Sequence, residues 1–387
     1  MNRRHWLCLG AGAPLTLAAQ TRLPDQSSAE GTSASPEKLL LKDYRPRSIY
    51  KVPETGIQRA KFPILDAHSH GPRPASAEQV KDWIQLMDQA GVDRTVVFLS
   101  SNPERFAAQR ALYTPYDRRF DLWCNLNFTG CDQPGFGPQA IESLESCRKL
   151  GAVGVGEVSD KGWGFGRFVR RGEAAPATAG PHADDPRLDP LWRRCGELGL
   201  PVNIHVSDPI WSYQPMDGTN DGLMNAFTWR IDDKQPGILG HDGLIRSLDA
   251  VAQRHPRTTF IACHLANLEY DLARLGQIFD HNPNLFADIS ARFAETAPIP
   301  RAMNKFLSHY PDRVLYGTDM GYSQPMFSAT FRILESEDEH FYDQDENFNF
   351  DYHWPLYGFG LPDKLLKGIY KDNAELAYRQ AQAHATS

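Results

Sequence analysis

Five places along the chain pair an apolar run with a side chain able to bind a cation: Leu65-Asp66-Ala67-His68-Ser69-His70, Gly156-Glu157, Ile204-His205, Cys263-His264 and Thr318-Asp319. His68 and His70 are two residues apart, so at the end of a strand both rings point to one face. Imidazole nitrogens and carboxylate oxygens are ligands for zinc and similar divalent ions. Taken singly, each residue has a plainer reading. His205 and His264 fit as hydrogen-bonded core histidines, Asp319 as a helix cap, and a lone His-x-His arises by chance. Together, His68, His70, Glu157, His205, His264 and Asp319 make a candidate metal centre, provided the fold brings them to one place.

Residues so far apart in sequence meet only if parallel strands present their C-terminal ends side by side. From residue 62 onward, β-rich runs alternate with amphipathic stretches. Strands are expected at 62–66, 94–99, 122–128, 152–158, 201–206, 258–263, 284–289 and 313–316, and helices at 77–90, 138–150, 190–198, 244–254, 268–281, 300–310 and 362–380. Gly91, Gly151, Gly199, Pro256, Pro283 and Pro311 punctuate the ends of helices. Eight strands alternating with helices predict right-handed crossovers and a (β/α)8 barrel, an α/β fold whose active sites lie at the C-terminal strand ends. A doubly wound sheet calls for a glycine-rich loop after the first strand, and His68-Ser69-His70 stands there instead. The connections 159–189, 207–243 and 320–361 are long and carry Trp163, Trp211, Tyr213, Trp229, Tyr352, Trp354 and Tyr357. They are expected to form lids over the catalytic face. Asn127, Trp163, Tyr213 and Trp229 are candidates for lining a pocket, with plain packing as the competing reading.

Composition narrows the function. The 387 residues are 41% hydrophobic and 23% charged with a net charge of −7, which suits a globular domain and gives nucleic-acid binding little electrostatic support. Arg3-Arg4 followed by a weakly apolar stretch to Ala19 reads as a twin-arginine-like export signal over 1–19, which places the protein in the periplasm or outside the cell. Residues 20–60 read as a linker and N-terminal extension, and 61–384 as the barrel. No later run is long enough for a membrane helix, so no stable membrane insertion is expected after signal removal. Six cysteines include Cys8 in the signal; the other five lack zinc-finger spacing and read as buried thiols, with a Cys124–Cys131 bridge as one option.

These pieces resemble the amidohydrolase superfamily, specifically its amidohydrolase-related (family 2) branch. The likeness lies in Leu65-Asp66-Ala67-His68-Ser69-His70, Leu200-Pro201-Val202-Asn203-Ile204-His205, Phe260-Ile261-Ala262-Cys263-His264, Asp288-Ile289-Ser290 and Leu315-Tyr316-Gly317-Thr318-Asp319. The resemblance implies a barrel in which His68, His70, His205 and Asp319 bind a catalytic divalent metal, zinc or alternatively manganese. His264 is then a ligand or a carbonyl-polarising group. Two-metal members bridge their ions with a strand-four glutamate or a carbamylated lysine. Glu157 resembles the first, Lys161 is a poorer candidate for the second, and an arginine partner for Glu157 is the single-metal alternative. The implied reaction is hydrolysis of an amide, ester, lactone or related bond of a small molecule by metal-activated water, with Asp319 moving the proton. Arg292 is placed to hold a substrate carboxylate or phosphate, or else to pair with Glu295 or Glu269. A metal-dependent decarboxylase of an aromatic or unsaturated acid is the alternative, and an inactive metal-binding protein the second. A homodimer is the default assembly for this architecture.

Overall fold

The computed structural model describes residues 35–385 apart from 73, 74, 132, 134, 135, 168–175, 177, 320 and 321; the export signal expected over 1–19 lies outside the described residues. Eight strands, β1 (Ile64–Asp66), β2 (Val92–Leu99), β3 (Phe120–Cys124), β4 (Gly154–Asp160), β5 (Val202–Val206), β6 (Phe260–Ala262), β7 (Leu285–Asp288) and β8 (Val314–Leu315), pair in sequence order, each parallel to the next. Closure between β8 and β1 rests on a few bonds. Ala67 N donates to Tyr316 O at 2.9 Å and Thr318 N to His68 O at 2.9 Å. The Asp66 carboxylate reinforces the seam by accepting Thr318 N at 3.1 Å and Thr318 Oγ1 at 2.8 Å. Burial pushes its pKa up to about 7 despite those hydrogen bonds.

The helices follow from capping and spacing. Helix α1 (Ala77–Ala90) starts at a Ser76/Gln79 capping box and stops at Gly91, whose φ of 85° suits a residue without a Cβ. Its Val80, Trp83, Met87 and Ala90, three or four residues apart, form the buried stripe. Helices α2 (Pro103–Tyr113), α3 (Pro138–Lys149), α4 (Asp189–Glu197), α5 (Leu223–Trp229), α6 (His241–Arg254), α7 (Leu272–His281), α8 (Phe293–Thr296), α9 (Pro300–His309), α10 (Gln324–Glu335), α11 (Asp363–Lys367) and α12 (Asn373–Ala385) complete the outer layer and its connections. Two apolar groups divide the core. The larger packs helices against strands; the smaller joins Leu65, Val96, Phe98, Trp123, Ile261, Phe286 and Leu315 to Ala374 and Ala377 of α12.

Several expectations need correction. The connection expected over 320–361 contains α10, which packs Met326, Phe327, Phe331 and Leu334 into the core. The segment over 362–380 divides into α11, a π-turn at Gly368–Asp372, and α12. Cys124, Cys131, Cys147, Cys195 and Cys263 are all buried thiols outside any disulfide, so Cys124 and Cys131 form no bridge. Their thiols face different backbone carbonyls, those of Gly154 and Phe165. Within the extension over 20–60, Thr55 is fastened to the barrel: its N and Oγ1 reach Asp338 at 2.8 and 2.6 Å.

Candidate metal centre

The strand ends gather as the residue types required. His68 and His70 leave β1, Glu157 stands in β4, His205 in β5, His264 follows β6 and Asp319 follows β8. Here the backbone departs from regular geometry. Ser207, His264, Leu265, Ala266, Asn267, Ala291 and Asp319 have φ between 52° and 71°, a left-handed conformation that is costly for residues with a Cβ and that concentrates at functional sites. The turn at His264 brings its N–H to Asp288 Oδ1 at 3.0 Å. Gly317 permits the close approach of β8 to β1, since a Cβ there meets the Cβ of His68 at 2.9 Å.

Hydrogen bonds fix the orientation of three imidazoles. His68 Nδ1 lies 3.0 Å from Asp288 Oδ2, His264 Nδ1 lies 2.8 Å from Ser290 O, and His205 Nε2 lies 2.9 Å from Ser207 O. A carbonyl only accepts, and so does an ionised carboxylate, so each of these nitrogens carries the proton. The opposite nitrogens, His68 Nε2, His264 Nε2 and His205 Nδ1, face Glu157, and His205 Nδ1 donates to Glu157 Oε1 at 2.5 Å. Second-partner bonds of this kind orient histidine ligands in metal sites.

Glu157 sits between two groups. Its Oε2 lies 3.2 Å from His70 Nε2 and 3.9 Å from His68 Nε2, and its Oε1 lies 2.5 Å from His205 Nδ1 and 4.0 Å from His264 Nε2. Asp319 Oδ1 completes the first group at 3.2 Å from His68 Nε2 and 3.1 Å from His70 Nε2. One donor atom each from His68, His70, Glu157 and Asp319 lie within 4.8 Å of one another. Ligands of a tetrahedral zinc ion lie about 3.4 Å apart, so the cluster has the right size. His68 Nε2 is buried without a hydrogen-bond partner in this structure, which fits a lone pair reserved for a cation.

The charges agree with that fit. Burial raises the Glu157 pKa, but His205, then His70 and His68, outweigh it and hold the carboxyl well below the usual range. Asp319 is likewise held well below it, with burial overcome by His264, His68 and His70. Burial lowers His68, yet Asp288 and further neighbours push it well above its ordinary value. His264 goes the other way, with burial taking it down to about 3 and leaving a neutral ring. The site therefore stabilises carboxylates by surrounding them with positive charge, the role a divalent ion fills.

Other expected residues sit elsewhere. Arg292 is buried, with Nε 3.1 Å from Glu295 and 3.7 Å from Glu269, and its Nη2 donates to Asn267 Oδ1. Those contacts match the ion-pair reading of Arg292, with two glutamates flanking the guanidinium. Lys161 Nζ pairs with Asp208 Oδ1 at 2.6 Å and lies over the Trp229 ring, so it does not join the ligand cluster. Asn127 accepts Thr129 N in a turn, and Tyr213 meets Ser207 Oγ at 2.9 Å. Trp211, Tyr352 and Trp354 pack together, joining the connection after β5 to the one after α10. Asp288 and Cys263 were not among the expected site residues, although both lie in the motifs. Asp288 accepts His68 Nδ1, Asn203 Nδ2, His264 N and Ser290 N, which makes it the hub beneath the ligands.

Fold and site together define a parallel eight-stranded α/β barrel with a histidine–carboxylate centre at its C-terminal face. The amidohydrolase family model matches residues 53–380, and the chain belongs to that family. Similar solved structures include an uncharacterised TIM-barrel protein from Bordetella bronchiseptica, with 18% identity, a TM-score of 0.51, and coverage of 83% of this chain and 100% of that one. That likeness shows the barrel fold. A 4-oxalomesaconate hydratase from Rhodopseudomonas palustris is 16% identical with a TM-score of 0.48, covering 83% of this chain and 97% of its own. A dihydroorotase from Campylobacter jejuni is 12% identical with a TM-score of 0.46, covering 85% and 87% respectively. No curated protein matches the chain in sequence.

Proposed function

We propose that the protein is a metal-dependent hydrolase that cleaves an amide, ester, lactone or related bond of a small molecule at a two-cation centre, with zinc the favoured ion. One observation carries the reading: the two oxygens of Glu157 face different ligand groups, His68 and His70 on one side and His205 and His264 on the other. His68, His70 and Asp319 would hold one cation and His205 and His264 the other, with Glu157 available to both. When bound, the cations supply Lewis acidity for the attacking water and the substrate oxygen.

The chain's own residues do the rest. Asp319 accepts the water proton at its carboxylate and returns it to the leaving group. Its carboxyl is held well below the usual range and is therefore ionised. His264 donates its Nδ1 proton to Ser290 O, so Nε2 has none to give a developing oxyanion; this supports its role as ligand over that of carbonyl-polarising donor. Asp288 and Ser207 hold the rings of His68 and His205 in register. The engagement of Arg292 by Glu295 and Glu269 argues against an arginine-lined acid pocket, the arrangement a decarboxylase reading needs. The same reading makes this an exported enzyme, on the strength of Arg3-Arg4 and the stretch behind them.

Zinc-loaded protein screened against esters, lactones, amides and aromatic acids tests the proposal. Hydrolysis of one of the first three, abolished by a chelator and restored by zinc, is expected. Release of carbon dioxide from aromatic acids with no hydrolysis overturns it.

A further inference from the structure

Cys263 differs from the three thiols of the apolar core. Cys124, Cys147 and Cys195 lie in the apolar core, where a thiol acts as a small hydrophobe. Cys263 belongs to neither apolar group although it is fully buried. Its surroundings are polar: Sγ lies 2.9 Å from Asn203 Oδ1, Asn203 Nδ2 donates to Asp288 Oδ2 at 3.1 Å, and Asp288 Oδ2 also accepts His68 Nδ1 at 3.0 Å. The thiol is therefore tied to the ring of a metal ligand through two intermediates.

Cys263 also has the position of a ligand. One donor atom each from His68, Glu157, Cys263 and His264 lie within 4.8 Å of one another, forming a second cluster that shares His68 and Glu157 with the first. Neighbouring residues of a strand ordinarily face opposite sides. The left-handed backbone at His264 breaks that alternation, so Cys263 and His264 meet at one cavity. Of its members, His68 lies against Glu157 Oε2 on the His70 side, and His264 lies against Glu157 Oε1 on the His205 side. At a tetrahedral ion with one sulfur, donors stand roughly 3.5 Å apart, inside the 4.8 Å span of the cluster.

We propose that Cys263 is a thiolate ligand of the second cation position, beside His264 and Glu157. The inference rests on the two-cation reading of the site. Ligation exchanges the S–H proton for the cation, the proton leaving to solvent, and frees Asn203 Oδ1 from its thiol contact. A sulfur donor makes this position softer than the one held by His68, His70 and Asp319, and so selective for zinc or cobalt over manganese.

Cobalt(II) loading of the full chain, followed by absorption spectroscopy, tests the assignment without reference to activity. The visible d–d bands report cobalt in the centre, and a near-ultraviolet thiolate-to-cobalt charge-transfer band reports sulfur. The charge-transfer band is expected as the second equivalent binds. It is expected to vanish in Cys263→Ser, with the second cobalt bound about tenfold or more weakly, and to persist in Cys195→Ser. Visible bands without a charge-transfer band in the unmodified protein overturn the assignment while leaving the metal centre intact, as does a band that survives in Cys263→Ser. Cobalt binding at no position overturns the metal centre and this assignment together. The spectrum of the unmodified protein decides the question even if Cys263→Ser fails to fold.

Discussion

The two ends of the barrel interior are built from the same strands and obey different rules. Toward one end, Leu65, Val96, Phe98, Trp123, Ile261, Phe286 and Leu315 fill the space against α12. Two residues further along the same strands, Ile261 gives way to Cys263 and Phe286 to Asp288, and the interior becomes a set of charges and lone pairs. Dispersion and burial hold the first end, where shape matters most. At the second end, buried carboxylates are tolerated because imidazoles or a cation surround them. Stability and chemistry are thus separated along the barrel axis, as expected of this fold.

Substitutions at the two ends therefore have different signatures. The largest effect is expected from Asp319→Asn, which removes the proton acceptor and lowers kcat/KM by about 10²–10⁴-fold with little change in melting temperature. Steady-state kinetics on a substrate found by the screen, with calorimetry alongside, check both halves. Trp123→Ala should do the reverse. It empties a fully buried ring site and costs about 3–5 kcal/mol in denaturant unfolding, while metal bound per folded molecule stays constant. Metal loss in this variant would break the separation of the two ends.

Asp288 lies on the boundary. Asp288→Asn keeps the shape but weakens the acceptor of His68 Nδ1, and metal affinity is expected to fall by about 10–100-fold in competition titrations with a chromophoric chelator. The smallest effect concerns His241, buried on α6 with Nε2 3.1 Å from Asn267 O. Burial lowers its pKa from 6.5 to about 4. Between these values the unfolded chain binds more protons, so stability contributed by the neutral ring is present above pH 6.5 and is lost as pH falls toward 4. The loss between pH 7 and 5.5 is about 1 kcal/mol, and His241→Gln should flatten that part of the stability profile.

Much of this organisation was legible in the chain. Helix α1 has the bounds 77–90 expected from its pattern because Ser76, Gln79 and Gly91 mark both ends locally. The barrel follows from the alternation of strands and helices, and His68, His70, Glu157, His205, His264 and Asp319 are recognisable because residue type and strand-end position coincide. Boundaries were less clear where an apolar run outlasts its ladder: the expected strand 122–128 is paired only over Phe120–Cys124. Helix α2 was missed because it buries only Phe106 and Tyr113 and shows no clear stripe. Helix α10 was hidden in an aromatic-rich segment that reads as a loop. At the site, Glu295 and Glu269 were nameable as partners of Arg292, whereas the surroundings of Cys263 were out of reach, since Asn203 becomes its neighbour only after folding.

The central claim is that Glu157 spans two cations. Elemental analysis of zinc-loaded protein after gel filtration tests it most directly, with Glu157→Gln treated in parallel. Two equivalents per chain are expected in the unmodified protein and one or fewer in the variant. One equivalent in the unmodified protein, or two retained by Glu157→Gln, would contradict the account.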